Sequence, residues 1–486
     1  MNAPTASRRG RLVRAAAVLV ATIGLSATVL PPAWAGGYPS DEAKPNLAAA
    51  LAGYSSLWTS SGKNDGHGKV KNTTVLRWND RVVSWVNQQA TPQQRFRALQ
   101  DAEYLASDDR GYDQSLTIAD GLGERLGALY LQGRITGELP LTTELLNNTT
   151  GTVGNYVSTG KLKSKFSYPR PFLRTDSKAA RAPGDSSSCK SSKVNASSLA
   201  RLRRGQPWAD AKGNLRITRV PAAVDVTKRY TDRAVKLSAE YGSSGLCRSG
   251  SFPSGHTTDA YSSGLMLATM LPELAPSILA RTSEAANNRL VLGVHYPLDV
   301  VGGRINGQAV VTTRWADKKF RNAKILPARE ELVNYLESAC GARLAVCAAS
   351  DQPYRNDPYA GAAAPGGTSQ VVTSRASALA VYTERLGYGF APSGSALEAS
   401  LPSKAEYLLL TAFPTLTMAQ RRAVLAQTQT RSGHPLDTSK AHAKGKAPGS
   451  WQRLDLAAAM SAVVVLQPDG TVKVSSVGGA PTVLQG

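Results

Sequence analysis

The chain has 486 residues, 42% of them hydrophobic and 19% charged, with a mean hydropathy of −0.23. That is a soluble globular balance, which excludes a disordered chain, and the length allows two domains. A formal charge of +22 favours an anionic partner, whether phosphoester, nucleic acid or acidic surface.

Residues 1–35 read as a signal peptide. Arg8, Arg9, Arg11 and Arg14 precede an apolar run at 15–30, and Ala33-Trp34-Ala35 supplies the small residues of a cleavage site. The run falls short of the ~20 residues of a membrane span, and no later run approaches one. The mature chain is therefore expected to be secreted or extracytoplasmic, without a membrane span, and at +18 once those four arginines are gone. Ser7-Arg8-Arg9 hints at twin-arginine export, but Arg11 stands where an apolar residue is usual, so both export routes stay open.

Residues 36–74 are polar and Gly-rich and read as a loose segment. From 75 onward the pattern turns helical: Val82, Val83, Trp85 and Val86, then Phe96, Leu99, Ala102 and Leu105, then 116–131 and 141–156. Residues 173–250 interrupt it as an irregular insertion with dense Gly, Pro, Ser and Lys, although 226–241 within it reads as a helix. Helices are expected at 257–271, 276–292, 298–314 and 328–338. The helical domain thus runs over 75–348. Residues 349–370 carry the Pro/Gly/Ala signature of a linker. Beyond it, 371–486 reads as a smaller mixed α+β domain of unassigned role, with helices at 376–386, 418–427 and 454–464, a strand at 472–475 and a mobile loop at 432–450.

Four cysteines in an exported chain suggest two bridges. Cys340 and Cys347 are 7 apart, which leaves Cys189 for Cys247, 58 apart. Such bridges contribute roughly 2 and 4 kcal/mol in the chain-entropy account. No Cys-x-x-Cys or nearby Cys/His pair supports a zinc site.

Three short segments carry the chemistry: Lys163 to Pro171, Ser251 to Thr257, and Arg289 to Asp299. A phosphoryl group in transfer bears negative charge on three equatorial oxygens, so its catalyst needs fixed cations and aimed N–H donors. Lys163, Arg170 and Arg289 can supply the cations, the arginines bidentately. Ser254 and Gly255 open a helical pattern whose N-terminus offers N–H groups to an anion, and Gly255 lets the backbone approach closely. Asp299 follows His295 by four residues, one helical turn, and can fix its tautomer. His256 can then serve as acid and base from the opposite side.

These segments resemble the three-part signature of the type 2 phosphatidic acid phosphatase superfamily. It comprises Lys, six residues, Arg-Pro; then Pro-Ser-Gly-His; then Ser-Arg, five residues, His, three residues, Asp. The resemblance covers about 75–340 and implies an all-α bundle of the acid phosphatase/vanadium haloperoxidase type. It also implies Lys163, Arg170 and Arg289 as phosphate clamps, Ser254 and Gly255 as cradle, His256 as general acid, His295 as nucleophile and Asp299 as its orienting partner. Two departures stand out. Asn288 replaces the Ser before the third-segment Arg, and the stretch between the first two segments is unusually long.

The expected function is an exported phosphatase hydrolysing phosphomonoesters through a phosphohistidine, with no metal or other cofactor. Its partner would be a small phosphoester or a lipid phosphate, not nucleic acid. Two alternatives are a vanadium-dependent haloperoxidase, in which His295 would bind vanadate in the same pocket, and a secreted or cell-surface binding protein with a relict site. Ser432-Gly433-His434-Pro435-Leu436-Asp437 echoes the histidine motifs without clamp residues around it and reads as a decoy. His67 and His442 read as turn and loop residues, and Asp108-Asp109 as a cap or turn.

Overall fold

The computed structural model describes residues 37–61, 67–103, 113–147, 152–153, 156–174, 196–392, 401–438 and 449–486. The signal peptide, Asp108, Asp109, His442 and Cys189, the expected partner of Cys247, lie outside the described residues. Tyr38–Gly486 forms one compact unit.

The architecture is mainly helical. Its longer helices are α1 (Thr73–Gln89), α2 (Pro92–Glu103), α3 (Glu124–Thr136), α4 (Pro140–Leu146), α5 (Gly160–Phe166), α6 (Ser197–Arg203), α7 (Gly255–Met270), α8 (Ala275–Val291), α9 (Pro297–Ala316), α10 (Leu326–Cys340), α11 (Leu344–Ser350), α12 (Arg375–Gly387) and α13 (Met418–Gln427). Short strands accompany them: β1 (Trp58–Thr59) with β2 (Lys69–Val70), β3 (Ala223–Asp225) with β4 (Val235–Leu237), and a three-stranded sheet of β5 (Val463–Leu466), β6 (Val472–Ser476) and β7 (Thr482–Gln485). In that sheet β5 is central, antiparallel to β6 and parallel to β7. A disulfide joins Cys340, at the end of α10, to Cys347 in α11.

The centre is α7, packed against α8 and α9. Nearly all of its side chains are buried, so it lacks the one-sided apolar stripe of a surface helix. Small residues let α9 come close. A Cβ at Gly303 would stand 2.6 Å from the Thr257 Cβ and 2.7 Å from the Ser254 carbonyl. That approach brings the N-terminal ends of α7 and α9 together, and the histidine motifs lie there. Among the described residues no single helix is long and apolar enough to cross a membrane.

Several expectations need correction. Residues 226–241 are not a helix but the far side of the β3–β4 hairpin. The Asp225 carboxylate accepts the Thr227 N–H (2.9 Å) and hydroxyl (2.6 Å), a local turn that competes with helix formation, and Lys228 turns left-handed at φ 54. Among the described residues of 141–156 only α4 is helical, and it ends because Asn147 is extended. At 454–464 a short helix (Leu456–Met460) gives way to β5, whose run of valines favours a strand. Residues 36–74 are not loose as a whole, since Leu51, Tyr54, Leu57 and Trp58 are fully buried.

Residues 371–486 do not separate as a unit of their own, and 349–370 is no free linker. Tyr359 is buried and its hydroxyl accepts from Asn287 at 2.8 Å. The buried Arg304 of α9 donates to the carbonyls of Leu386 (3.0 Å) and Gln452 (3.2 Å). The C-terminal region therefore supplies the partners that a buried guanidinium on the central helices requires. Of the expected mobile loop at 432–450, residues 439–448 lie outside the described residues, and Leu436, Thr438 and Ser450 to either side of them are buried.

Replacing Gly303 with valine is expected to cost about 1–3 kcal/mol through overpacking. Thermal unfolding checks this as a lower melting temperature at unchanged helix content.

Candidate active site

The first segment is shaped by a reversal. At the end of α5, Ser167 turns left-handed (φ 44) and its N–H returns to the Lys163 carbonyl at 2.9 Å. Tyr168 to Arg170 then run beside 249–251, where the Ser251 N–H donates to the Tyr168 carbonyl at 2.7 Å. Lys163 Nζ donates to the carbonyls of Gly250 (3.2 Å) and Ser251 (3.4 Å). The Arg170 guanidinium donates to Ser249 Oγ (3.0 Å) and the Val294 carbonyl (3.1 Å).

The second segment is a helix start. Ser254 caps α7 by accepting the Thr257 N–H at 3.2 Å, and its own N–H donates to the Asp299 carbonyl at 3.0 Å. The N–H groups of Gly255 and His256 belong to the first turn, which makes no intrahelical bonds and favours an anion. His256 Nε2 lies 3.2 Å from the Ala102 carbonyl at the end of α2. A carbonyl only accepts, so Nε2 carries the proton, and Nδ1 is the ring's lone-pair atom when the ring is neutral.

In the third segment, Arg289 lies in the last turn of α8 and its carbonyl accepts the N–H groups of Val294 (3.1 Å) and His295 (3.3 Å). Gly293 makes that turn at φ 65, and a side chain there would run into Ile217. Asp299 sits in the first turn of α9. Its Oδ2 accepts the Tyr296 N–H at 2.8 Å and lies 3.2 Å from His295 Nδ1. The proton of a neutral His295 is thus on Nδ1, and the Nε2 lone pair meets Arg170 at 3.0 Å. His295, Asp299, Arg170 and Arg289 are all buried.

The electrostatics follow from burial and like charge. His295 is held well below its ordinary pKa by burial and then by Arg170, Lys163 and Arg289. His256 is lowered too, by burial and then Arg289, against the Ala102 carbonyl. Burial and Arg170 lower Lys163, and burial and Arg289 bring Arg170 down to about 9. Burial pushes the Asp299 carboxyl up, opposed by the Tyr296 N–H, Lys163 and Arg170. The structure therefore gathers Lys163, Arg170, Ser254, Gly255, His256, Arg289, His295 and Asp299 around one point. Two neutral imidazoles there face three cations. Among the described residues no group of three or more His, Cys, Asp or Glu could hold a metal ion.

Other supports have no motif to announce them. Arg203, inside the insertion, pairs with Asp80 (2.9 and 2.8 Å) and donates to the Tyr296 hydroxyl at 2.9 Å, next to His295. Asn79 Oδ1 takes the Leu298 N–H at 3.0 Å, satisfying the start of α9. Tyr54 stacks on Phe252 with centroids 3.7 Å apart. Asp259, one turn along α7 from His256, is pushed up to about 7 by burial, with Lys163 opposing. The His434 ring lies against Gly387, and Asp437 accepts the Gly433 N–H at 2.8 Å, a contact within its own loop.

Both histidines are neutral in the folded pocket and protonate in the unfolded chain below about 6.5. The unfolded state then binds more protons, so stability falls as pH drops through that value. A bound dianion raises both pKa values, so its binding takes up protons and tightens as pH falls. Sulfate is expected to raise the melting temperature more at about pH 5.5 than at about pH 7.5. Thermal unfolding with and without sulfate checks this, and replacing both His256 and His295 with alanine should remove the pH-dependent part.

Residues 144–322 match the family model of the PAP2 superfamily. The acid phosphatase of Zymomonas mobilis subsp. mobilis is 36% identical over 110 residues, covering 23% of this chain and 41% of that protein. A non-specific acid phosphatase of Providencia stuartii is 34% identical over 86 residues, covering 18% of this chain and 34% of that protein. The chain thus spans between one third and two fifths of the length of these relatives. The stretch similar to the PAP2 superfamily carries all three segments of the pocket.

Proposed function

We propose that the protein is an exported phosphatase that hydrolyses phosphomonoesters through a phosphohistidine on His295, without a metal ion. The observation that carries this reading is the His295 ring, with Nδ1 on Asp299 and Nε2 turned to the cations at Arg170, Lys163 and Arg289. The names of the two relatives favour a phosphatase over the haloperoxidase and relict-site readings. The leader before Ala35 supports export.

The chemistry follows from the tautomers. An entering phosphoryl group competes for the Arg170 guanidinium and frees the Nε2 lone pair. Nε2 attacks phosphorus, the ester P–O bond breaks, and the leaving oxygen takes a proton from His256 Nδ1. The substrate dianion raises the His256 pKa, so the ring can carry that proton once substrate is bound. Water then gives a proton to neutral His256 as its oxygen attacks phosphorus. The P–N bond breaks and phosphate leaves. Asp299 balances the positive charge that His295 gains, while Lys163, Arg170 and Arg289 meet the equatorial oxygens.

The mature protein is expected to hydrolyse 4-nitrophenyl phosphate in excess EDTA, and vanadate should inhibit it. His295→Ala should lower kcat by at least ~10³-fold, and His256→Ala by ~10²–10⁴-fold. Rapid acid quench with labelled substrate should trap phosphate on the wild-type protein and not on His295→Ala. Full activity in His295→Ala would overturn the mechanism.

A further inference from the structure

Asn288 stands where the superfamily pattern has serine, and its contacts reach across the site. Its Nδ2 donates to Asp101 Oδ2 at 2.7 Å, and its Oδ1 accepts from Gln94 at 2.6 Å. Arg281 holds the same Asp101 carboxylate through two bonds, at 2.7 and 3.0 Å. The Asp101 carbonyl accepts from Gln114 at 2.7 Å. Asn288, Asp101, Arg281, Gln94 and Gln114 are all buried.

The next residue along α2 is Ala102, whose carbonyl meets His256. Where it points depends on where this turn of α2 sits, and the bonds to the Asp101 carboxylate fix that turn. Asn288 also immediately precedes Arg289 on the last turn of α8. One side chain therefore ties the turn of α2 that aims the His256 imidazole to the helix end that carries a cation of the pocket. A serine hydroxyl, nearer the backbone, could not bond both Asp101 and Gln94 at these positions.

We propose that Asn288 is a positioning residue for His256, acting through Asp101 and the Ala102 carbonyl to hold the imidazole as its Nε2–H tautomer. The inference rests on the phosphatase reading for its effect on turnover, while its effect on the ring itself does not.

The experiment compares wild type, Asn288→Ala and His256→Ala on two substrates, an alkyl phosphate and 2,4-dinitrophenyl phosphate. The alkyl leaving group needs a proton and the dinitrophenolate does not. Asn288→Ala is expected to lose roughly 10²-fold in kcat/KM on the alkyl ester, the scale of a catalytic group misplaced by about 1 Å, and under about threefold on the dinitrophenyl ester. In parallel, long-range proton–nitrogen spectra of the five histidines, with His256 assigned by its loss in His256→Ala, report the tautomer. The wild-type ring should be Nε2–H, and Asn288→Ala should show a mixed or exchanged form. If Asn288→Ala does not fold, Asn288→Ser is read in the same way, with the same expectation.

An equal loss on both esters together with an unchanged tautomer would overturn the proposal and leave Asn288 a purely structural residue. If His256→Ala itself fails to discriminate between the esters, it is the general-acid reading that falls. The spectra alone then decide whether Asn288 sets the ring.

Discussion

Positive charge gathered below the protein surface is the constraint around which this molecule is built. Burial, then Arg170 and Arg289, lowers the proton affinity of Lys163, and burial, then Arg289, lowers that of Arg170. Such a cluster needs something to hold it. Backbone carbonyls of Gly250, Ser251 and Val294 take up the donors, and Asp299 contributes a buried carboxylate. These carbonyls fix the side chains without carrying a countercharge. In the proposed function a dianionic substrate supplies one, and the electrostatic cost of the pocket becomes binding energy directed at phosphate.

Holding that arrangement calls for rigid walls. The glycine-lined approach of α9 to α7 sets the distance between the two helix starts. Aromatic side chains fill the space beneath them: Tyr168 meets Tyr296 edge-on at 5.2 Å, and Trp58 meets Tyr168 at 4.9 Å. The Arg203–Asp80 pair locks the Tyr296 hydroxyl from the insertion side. Its two members lie 123 residues apart in sequence, which is why the long insertion is a wall of the site as well as a decoration.

The three segments were legible because each of them is a local device. A helix start, a tight turn and a one-turn His–Asp spacing all follow from neighbouring residues. The supports were not legible, because they are made by distant ones. The Ala102 carbonyl has no signature at all, since every residue has a carbonyl. Asp80 and Arg203 look like surface charges until the fold buries them. Tyr54 lies in a polar, Gly-rich segment whose composition hides its stacking on Phe252. The Pro/Gly/Ala stretch at 349–370 has a linker's composition, yet Tyr359 within it is buried against Asn287. Residues 226–241 have helical spacing, but the Asp225–Thr227 turn and exposed valines win locally. Composition describes what a segment tolerates, whereas its packing depends on residues it meets only after folding.

The two histidines show how one electrostatic field can serve two tasks. His295 is buried and His256 half-buried among the same cations, and both are depressed by them. They differ in the group behind the ring. Behind His295 stands a carboxylate, which strengthens its interaction as positive charge grows on the imidazole, and so suits a ring that bonds to phosphorus. Behind His256 stands a neutral carbonyl, which fixes the tautomer and adds little to proton affinity, and so suits a ring that must give its proton away. Exchanging the two supports would strengthen the proton's hold on His256 and weaken the charge balance of His295. In the proposed mechanism, the difference between an ion and a dipole, placed one bond beyond each imidazole, separates nucleophile from acid within a single pocket.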